Sequence, residues 1–237
     1  MDPVMPFDGF PRETLSFLAG LGRNNDKEWF EAHRREYEAH LMAPARSFVV
    51  AMGERLASIS SGLVADPRVN GSIFRMNRDT RFSKDKSPYK TNIGIFFWEG
   101  DGPRMECPGF YFHLEPDALM LGCGIYMFPK HLLEAYQRAV VDPKLGPALR
   151  RAIAKVPAEA MGKTGCGMTP DRYKKLPAGF DPSHPSAELL KNKGLTAGIE
   201  VGLPKELHSR KLLDYSFRHF EKMAPIHEWL VAMLARR

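Results

Sequence analysis

Between positions 75 and 91 the chain reads RMNRDTRFSKDKSPYKT, with Arg75, Arg78, Arg81, Lys84, Lys86 and Lys90 inside sixteen residues and Asp79, Phe82, Asp85 and Tyr89 threaded between them. This segment carries a net charge of +4 out of +6 for the whole chain, so the basic character is local and the rest is close to neutral. Arginine presents a planar fork of donors that matches phosphate or carboxylate, and it stays protonated at physiological pH. Arg75, Arg78 and Arg81, with Lys86 and Lys90 adding point charge, are suited to holding an anion and unsuited to general-base work. Asp79 among these cations is expected to ionise readily, which makes it a weak base and a good orienter of an arginine fork. Any proton chemistry falls to His113, with Tyr89 or Glu115 behind it. The candidate anion-binding set is Arg75, Arg78, Asp79, Arg81, Lys86, Tyr89, Lys90 and His113.

Four uses of such a segment stand side by side. The first is a site for a small phosphate- or carboxylate-bearing ligand, and the second an enzyme in which the arginines clamp substrate and His113 handles protons. The third is an ion-pair network in which Arg78, Asp79, Arg81 and Asp85 satisfy one another and fix the loop. The fourth is a nucleic-acid module that adds stacking on Phe82 or Tyr89 to the positive charge.

The elements that position these residues follow from hydrophobic periodicity. Residues 10 to 62 read as helical: Pro11 suits a first helical position, and Leu15, Phe17 and Leu18 form a stripe ending near Gly20. Asn25 with Glu28 resembles a capping box, followed by Trp29, His33, Tyr37 and Leu41 at four-residue spacing. Pro44 breaks or restarts the helix before Phe48, Val49, Met52, Leu56 and Ile59. From 72 onward the period becomes two, predicting strands at 72–78, 91–98, 109–115 and 118–128, with a fifth at 195–203. Short connections such as Glu115-Pro116-Asp117 imply an antiparallel meander. The second strand, with Ile93, Ile95 and Phe97 on one side and Phe96 and Trp98 on the other, is expected to be covered on both faces.

With Phe74 and Met76 in the core, Arg75, Asn77 and Asp79 share the opposite face with Tyr111, His113 and Glu115. Gly122 and Gly124 then leave room on that face for a ligand or a packed helix. Residues 79–90 form a connection of about twelve residues, longer than hairpins use. Pro88 is expected to stiffen it, and Phe82 and Tyr89 to anchor it. Beyond Pro129 come two helices, an irregular stretch at 157–185 with a short strand near 168–176, a short helix at 187–191, and two closing helices at 205–220 and 225–234. The fold class is α+β: a meander of about five strands with N-terminal, middle and C-terminal helices, in one domain spanning 1–237.

Composition excludes several classes. Hydrophobic residues at 43% and charged residues at 26% are those of a folded globule. No apolar run approaches a membrane span, and the acidic, proline-interrupted N-terminus does not read as a signal peptide, so a cytoplasmic protein without a membrane partner is expected. Cys107, Cys123 and Cys166 are too few for a disulfide framework and, with His113, lack the close pairs of a metal site. They read as small buried hydrophobes. Gly162-Lys163-Thr164 resembles a phosphate loop but lacks its first glycine and the preceding strand. The Asn70-Gly71-Ser72 sequon reads as a turn. No cofactor or nucleophile motif is legible.

The pattern R-x-x-R-D-x-R-F-x-x-D-K-x-P-Y-K, here Arg75 through Lys90, resembles the hallmark of a bacterial family called domain of unknown function 2461. The resemblance extends to Asn24-Asn25-Asp26-Lys27-Glu28-Trp29-Phe30, Phe110-Tyr111-Phe112-His113-Leu114, Gly122 and Gly124, and His184-Pro185 with Leu189-Leu190-Lys191. It implies a cytoplasmic, single-domain α+β protein and no particular activity.

Overall fold

Pro11, its φ near that of a helix but its ψ extended, is the N-cap of α1 (Arg12–Arg23), which therefore starts one residue later than the sequence suggests. The helix buries Phe17, Leu18 and Leu21, and also Thr14. A computed structural model describes residues 5–161 and 172–236. Next comes α2 (Lys27–Ala32), whose N-cap is Asp26, its carboxylate accepting from the Trp29 N–H at 2.8 Å. Asn25, the expected cap, is employed elsewhere. A single turn, α3 (Arg34–Glu36), leads into a π-helical stretch, Tyr37–Met42, and then α4 (Ala43–Leu56).

The wide turn has a local cause. Pro44 has no N–H to donate to the carbonyl of His40, and the interrupted ladder widens there. The hydroxyl of buried Thr14 donates to that carbonyl instead. A backbone acceptor released by proline is thereby satisfied from a neighbouring helix.

Five strands follow, β1 (Leu63–Val64), β2 (Ile93–Glu99), β3 (Gly109–Leu114), β4 (Ala118–Ile125) and β5 (Leu195–Gly202), arranged in chain order as an antiparallel sheet. The α+β meander expected from the periodicity is the observed architecture. Ile93, Ile95, Phe96 and Phe97 are all buried, as a strand covered on both faces requires. Between β4 and β5 lie α5 (Lys130–Val141), α6 (Leu145–Lys155) and α7 (Ala158–Met161), with a 3-10 turn at Leu189–Lys191; α8 (Lys211–Leu234) closes the chain. The two expected C-terminal helices are one, and Pro225 sits inside it. Burial of Phe220, Met223, Ile226, Trp229 and Leu230 outweighs the single hydrogen bond that proline removes.

The packing divides into two compact units: Met1–Phe97, Tyr111–Met120 and Glu200–Phe217 form one, and Trp98–Phe110, Leu121–Ile199 and Arg218–Arg237 the other. In the first, Phe48 of α4 meets Phe97 and Phe112, and Phe10 stacks on Phe112 at 5.7 Å. In the second, Phe110 packs against Phe220 and His227, and the Trp229 indole N–H donates to the Leu145 carbonyl at 2.9 Å. Gly124 belongs to this second unit, and its role is structural: a Cβ there would lie 2.1 Å from the Leu195 carbonyl oxygen of β5. It permits close strand approach at a positive φ of 124° and does not open the polar face.

The predicted first strand at 72–78 is the main correction. Among the described residues this segment makes only isolated bridges, antiparallel from Ile73 to Ile95 and from Asn77 to Tyr89, and parallel from Ile73 to Val69. Three residues lie between the bridged positions on one side and five on the other, so two extra residues, Thr91 and Asn92, bend the return path. The alternation is real at both ends and out of register between them, as at a β-bulge. β4 likewise stops at Ile125 instead of 128, where Tyr126 and Met127 turn out to solvent. Cys166, the Gly162-Lys163-Thr164 segment and residues 168–171 of the strand expected near 168–176 lie outside the described residues; in the remainder, 172–176, Arg172 forms one bridge to Asn192 and no strand follows. No helix is long and apolar enough to cross a membrane among the described residues.

Candidate functional site

The site residues all fall in the first compact unit and separate into three groups. The base of the cationic segment is the first. Tyr89 is 7% exposed, its ring stacked 4.2 Å from that of Phe30 at an interplanar angle of 14°. The side-chain amide of Asn25 closes a reciprocal pair with its backbone: Nδ2 donates to the Tyr89 carbonyl and the Tyr89 N–H donates to Oδ1, both at 3.0 Å. Two further bonds finish the neck, Lys90 N–H to Met76 carbonyl and Arg78 N–H to Pro88 carbonyl, each 2.8 Å. Thus an element near residue 25 fixes a loop sixty-four residues away. Tyr89 serves as the expected anchor, and its ring does not stand behind His113.

The tip is the second group, and it is built from charge. Arg81 grips Asp79 with two parallel bonds, Nε to Oδ1 at 2.9 Å and Nη2 to Oδ2 at 2.7 Å, and its own N–H also reaches Oδ1. That fork holds the Asp79 carboxyl below its usual range, and the backbone bond and the nearby Arg75 charge act in the same direction. Asp85 is pushed down further, first by the Ser87 hydroxyl and N–H and then by Arg78, which pairs with it. Arg78 also donates to the Ser87 carbonyl, and Lys86 Nζ donates to the Thr80 carbonyl at 2.9 Å.

Arg75 and Lys84 are exposed, and among the described residues their side chains have no hydrogen-bond or salt-bridge partner. The tip is thus half network and half surplus charge. Phe82, expected as an anchor, is 95% exposed instead, with the Arg81 guanidinium over its ring at 5.7 Å. Sequence type does not distinguish it from Tyr89. The bridge at Asn77–Tyr89 does, because it leaves 82 beyond the closed neck and 89 within it.

The third group is the polar face of β3. The Tyr111 hydroxyl lies 2.8 Å from His113 Nδ1, and His113 Nε2 lies 2.9 Å from Glu115 Oε1. An ionised carboxylate only accepts, so Nε2 carries the proton donated to Glu115 and Nδ1 accepts from the tyrosine O–H. Burial, helped by the Glu115 charge, pushes the Tyr111 hydroxyl up to about 12. Gly94 of β2 makes room for that hydroxyl, since a Cβ there would lie 2.8 Å from it and 3.2 Å from Phe74. Gly94 thus supplies clearance on this face, where the Gly124 Cβ position is taken up by the Leu195 backbone.

Phe74 is half-buried on this face, edge-on to Tyr111 at 6.0 Å, while its neighbours Ile73 and Met76 enter the core. The ammonium of Lys90 rests 5.4 Å from the Phe74 ring centre. Lys90, Phe74, Tyr111, His113 and Glu115 thus form one row, with Glu115 in the role expected behind His113. Arg78, Arg81 and Lys86 belong to the tip and are committed to Asp85, Asp79 and Thr80.

Sequence reasoning missed Asn25, Phe30 and Gly94 as parts of this region. Their functions are long-range, and only their presence in the NNDKEWF and strand segments signalled them. A second histidine–glutamate pair, His227 with Glu99 at 2.6 Å, lies in the other unit, with the imidazole buried and the carboxylate half-buried. Among the described residues no group of three or more His, Cys, Asp or Glu side chains is arranged to hold a metal ion. Cys107 and Cys123 are buried free thiols, and burial pushes both up.

No curated protein matches the chain. A family model described as "Conserved hypothetical protein (DUF2461)" matches residues 13–229, a span that takes in Asn25 and Phe30, the whole cationic segment, and the row on β3. The chain belongs to this family of conserved hypothetical proteins, domain of unknown function 2461.

Proposed function

We propose that the protein binds a small anionic molecule, bearing phosphate or carboxylate, at the cationic segment beside the polar face of β3. The observation that carries this reading is the uneven pairing of charge. Asp79 and Asp85 each occupy one arginine, while Arg75, Lys84 and Lys86 remain exposed with no carboxylate partner. Arg75, Lys86 and Lys90 are the direct ligands in this reading, with His113 at the edge of the row. Arg78 and Arg81 reach the anion by exchanging their aspartates for it, which keeps the ion-pair network as their resting state. A bacterial, reducing cytoplasm suits the buried thiols.

The test is a melting screen with pyrophosphate, citrate and sugar phosphates on the wild type and on Arg75→Gln/Lys84→Gln, two exposed positions that the fold does not use. A ligand present at a hundred times its Kd raises stability by about 2.7 kcal/mol. The expected result is a rise of several degrees for one ligand class, lost in the double variant, whose own melting point is unchanged. No rise with any anion at low ionic strength would overturn the reading.

The row on β3 favours a second reading, an enzyme that uses the same place. A carboxylate orienting an imidazole whose free nitrogen faces a hydroxyl is the arrangement by which a proton is taken from an attacking or reacting oxygen. Tyr111→Phe and His113→Gln would then abolish turnover of a phosphate-ester or carboxylic-ester substrate while leaving the anion-induced melting shift intact. Equal turnover in all three proteins would exclude it.

A further inference from the structure

Phe82 is the most exposed large apolar side chain among the described residues, at 95%, and it stands at the centre of the most cationic segment of the chain. The fold makes no use of its ring. The other aromatic of the segment, Tyr89, is stacked on Phe30, so the segment separates one aromatic for anchoring from one left in solvent. Arg81 is itself held by Asp79, which fixes the guanidinium over one side of the Phe82 ring and leaves the ring open elsewhere. Lys84 and Lys86 follow two and four residues on, both exposed.

An aromatic platform beside cations that have no carboxylate partner is complementary to a planar ring carrying a phosphate. We infer that the ligand of this segment is a nucleotide unit, its base stacked on Phe82 and its phosphate on the neighbouring cations, in free form or within a single strand. This rests on the anion-binding reading above and adds the ring that the anion must bear. A free sugar phosphate or dicarboxylate has no use for Phe82. A bilayer with anionic headgroups would also meet a cationic loop with one apolar residue, but Asp79 and Asp85 on the same tip set two carboxylates against a dense anionic plane. A single nucleotide, or a strand one nucleotide wide, presents no such plane. Base stacking tolerates any base, so composition-independent binding is expected.

Titrations of AMP, ribose 5-phosphate, pyrophosphate and a ten-residue oligodeoxyadenylate, on wild type and Phe82→Ala, decide the matter. Melting curves first establish that the variant is folded, as full exposure of the ring requires. AMP or the oligonucleotide is expected to bind more tightly than the base-free probes, and Phe82→Ala to weaken it by roughly tenfold or more while pyrophosphate binding is unaltered. Preference for the oligonucleotide, with affinity falling steeply as salt rises, identifies a strand; equal affinity per nucleotide identifies a free ligand. Equal binding of base-bearing and base-free probes, or indifference to Phe82→Ala, overturns the inference and leaves the anion site standing. Absence of binding by every phosphate probe overturns the inference, and absence of binding by citrate as well removes the anion site with it. Phe82-dependent capture on phosphatidylserine vesicles without nucleotide binding overturns the inference in favour of a lipid surface.

Discussion

The neck and the tip of the cationic segment lie within ten residues of each other and are held by different forces. At the neck, Asn25 and Phe30 take Tyr89 by two neutral hydrogen bonds and a stacked ring, in a place sheltered from water. At the tip, Arg81 holds Asp79 and Arg78 holds Asp85 by charge, with the Arg81 side chain 77% exposed. Sheltered, directional contacts contribute net stability because breaking them strands buried groups. Exposed ion pairs exchange readily with water and salt and contribute little. A loop built this way keeps its outline while its charged groups remain available for another partner.

The largest expected effect breaks the neck. Tyr89→Ala removes a buried ring and leaves a space against Phe30, and substitutions of this kind cost about 3–5 kcal/mol. Asn25→Ala leaves the Tyr89 N–H and carbonyl without their partners, at about 1–3 kcal/mol. Urea unfolding measures both. Losses well under 1 kcal/mol for the two variants would mean that the neck does not anchor the segment, and the contrast with the tip would disappear.

This neck also shows what a sequence can and cannot reveal. The helices and β2 to β5 were legible because their apolar residues recur at fixed periods. Asn25 was read as a cap because its neighbours allow it, yet Asp26 is equally fit to cap and occupies that place, which releases the Asn25 amide for Tyr89. No local period connects residues 25 and 89. The strand expected at 72–78 failed because Thr91 and Asn92 lengthen only the partner side, and an insertion on one side is invisible from the other. β1 has two residues, too few for any period to register. Pro225 was given its intrinsic weight, and burial overrode it. At the candidate site the charges, His113 and Glu115 were legible by type, whereas the separation of Phe82 from Tyr89 depended on where the neck closes.

A smaller effect appears on acidification and distinguishes the two regions. Asp79 and Asp85 titrate below the ordinary carboxylate value when folded. Their pairing is therefore fully present above about pH 4 and is lost as pH falls through the depressed folded values. Amide resonances of Arg81 and Ser87 should move only in that acid range, while the Asn25 side-chain amide stays fixed until global unfolding. Any change nearer neutrality has another source. His227 is fully buried, and burial lowers its pKa despite the opposing Glu99. Its stabilising effect is present above about pH 6.5 and declines as pH falls below that value, because the unfolded chain then takes up a proton that the folded one resists. His227→Gln should flatten the melting temperature between pH 7 and 5 without moving the loop resonances; an unchanged slope would place the titration elsewhere.

The smallest expected effect is at Arg81. Its two bonds to Asp79 have good geometry, but both groups stand in water, the residues are two apart in sequence, and the loop is already closed behind them at Asn77 and Tyr89. Removing such a pair releases a long side chain and returns two charges to hydration they had scarcely lost. Arg81→Gln should therefore melt with the wild type in 0.15 M salt, and 1 M salt should not alter the comparison. If it instead melts as early as Tyr89→Ala, the tip is a structural element, its arginines are not available for exchange, and an incoming anion is left with Arg75, Lys86 and Lys90 alone.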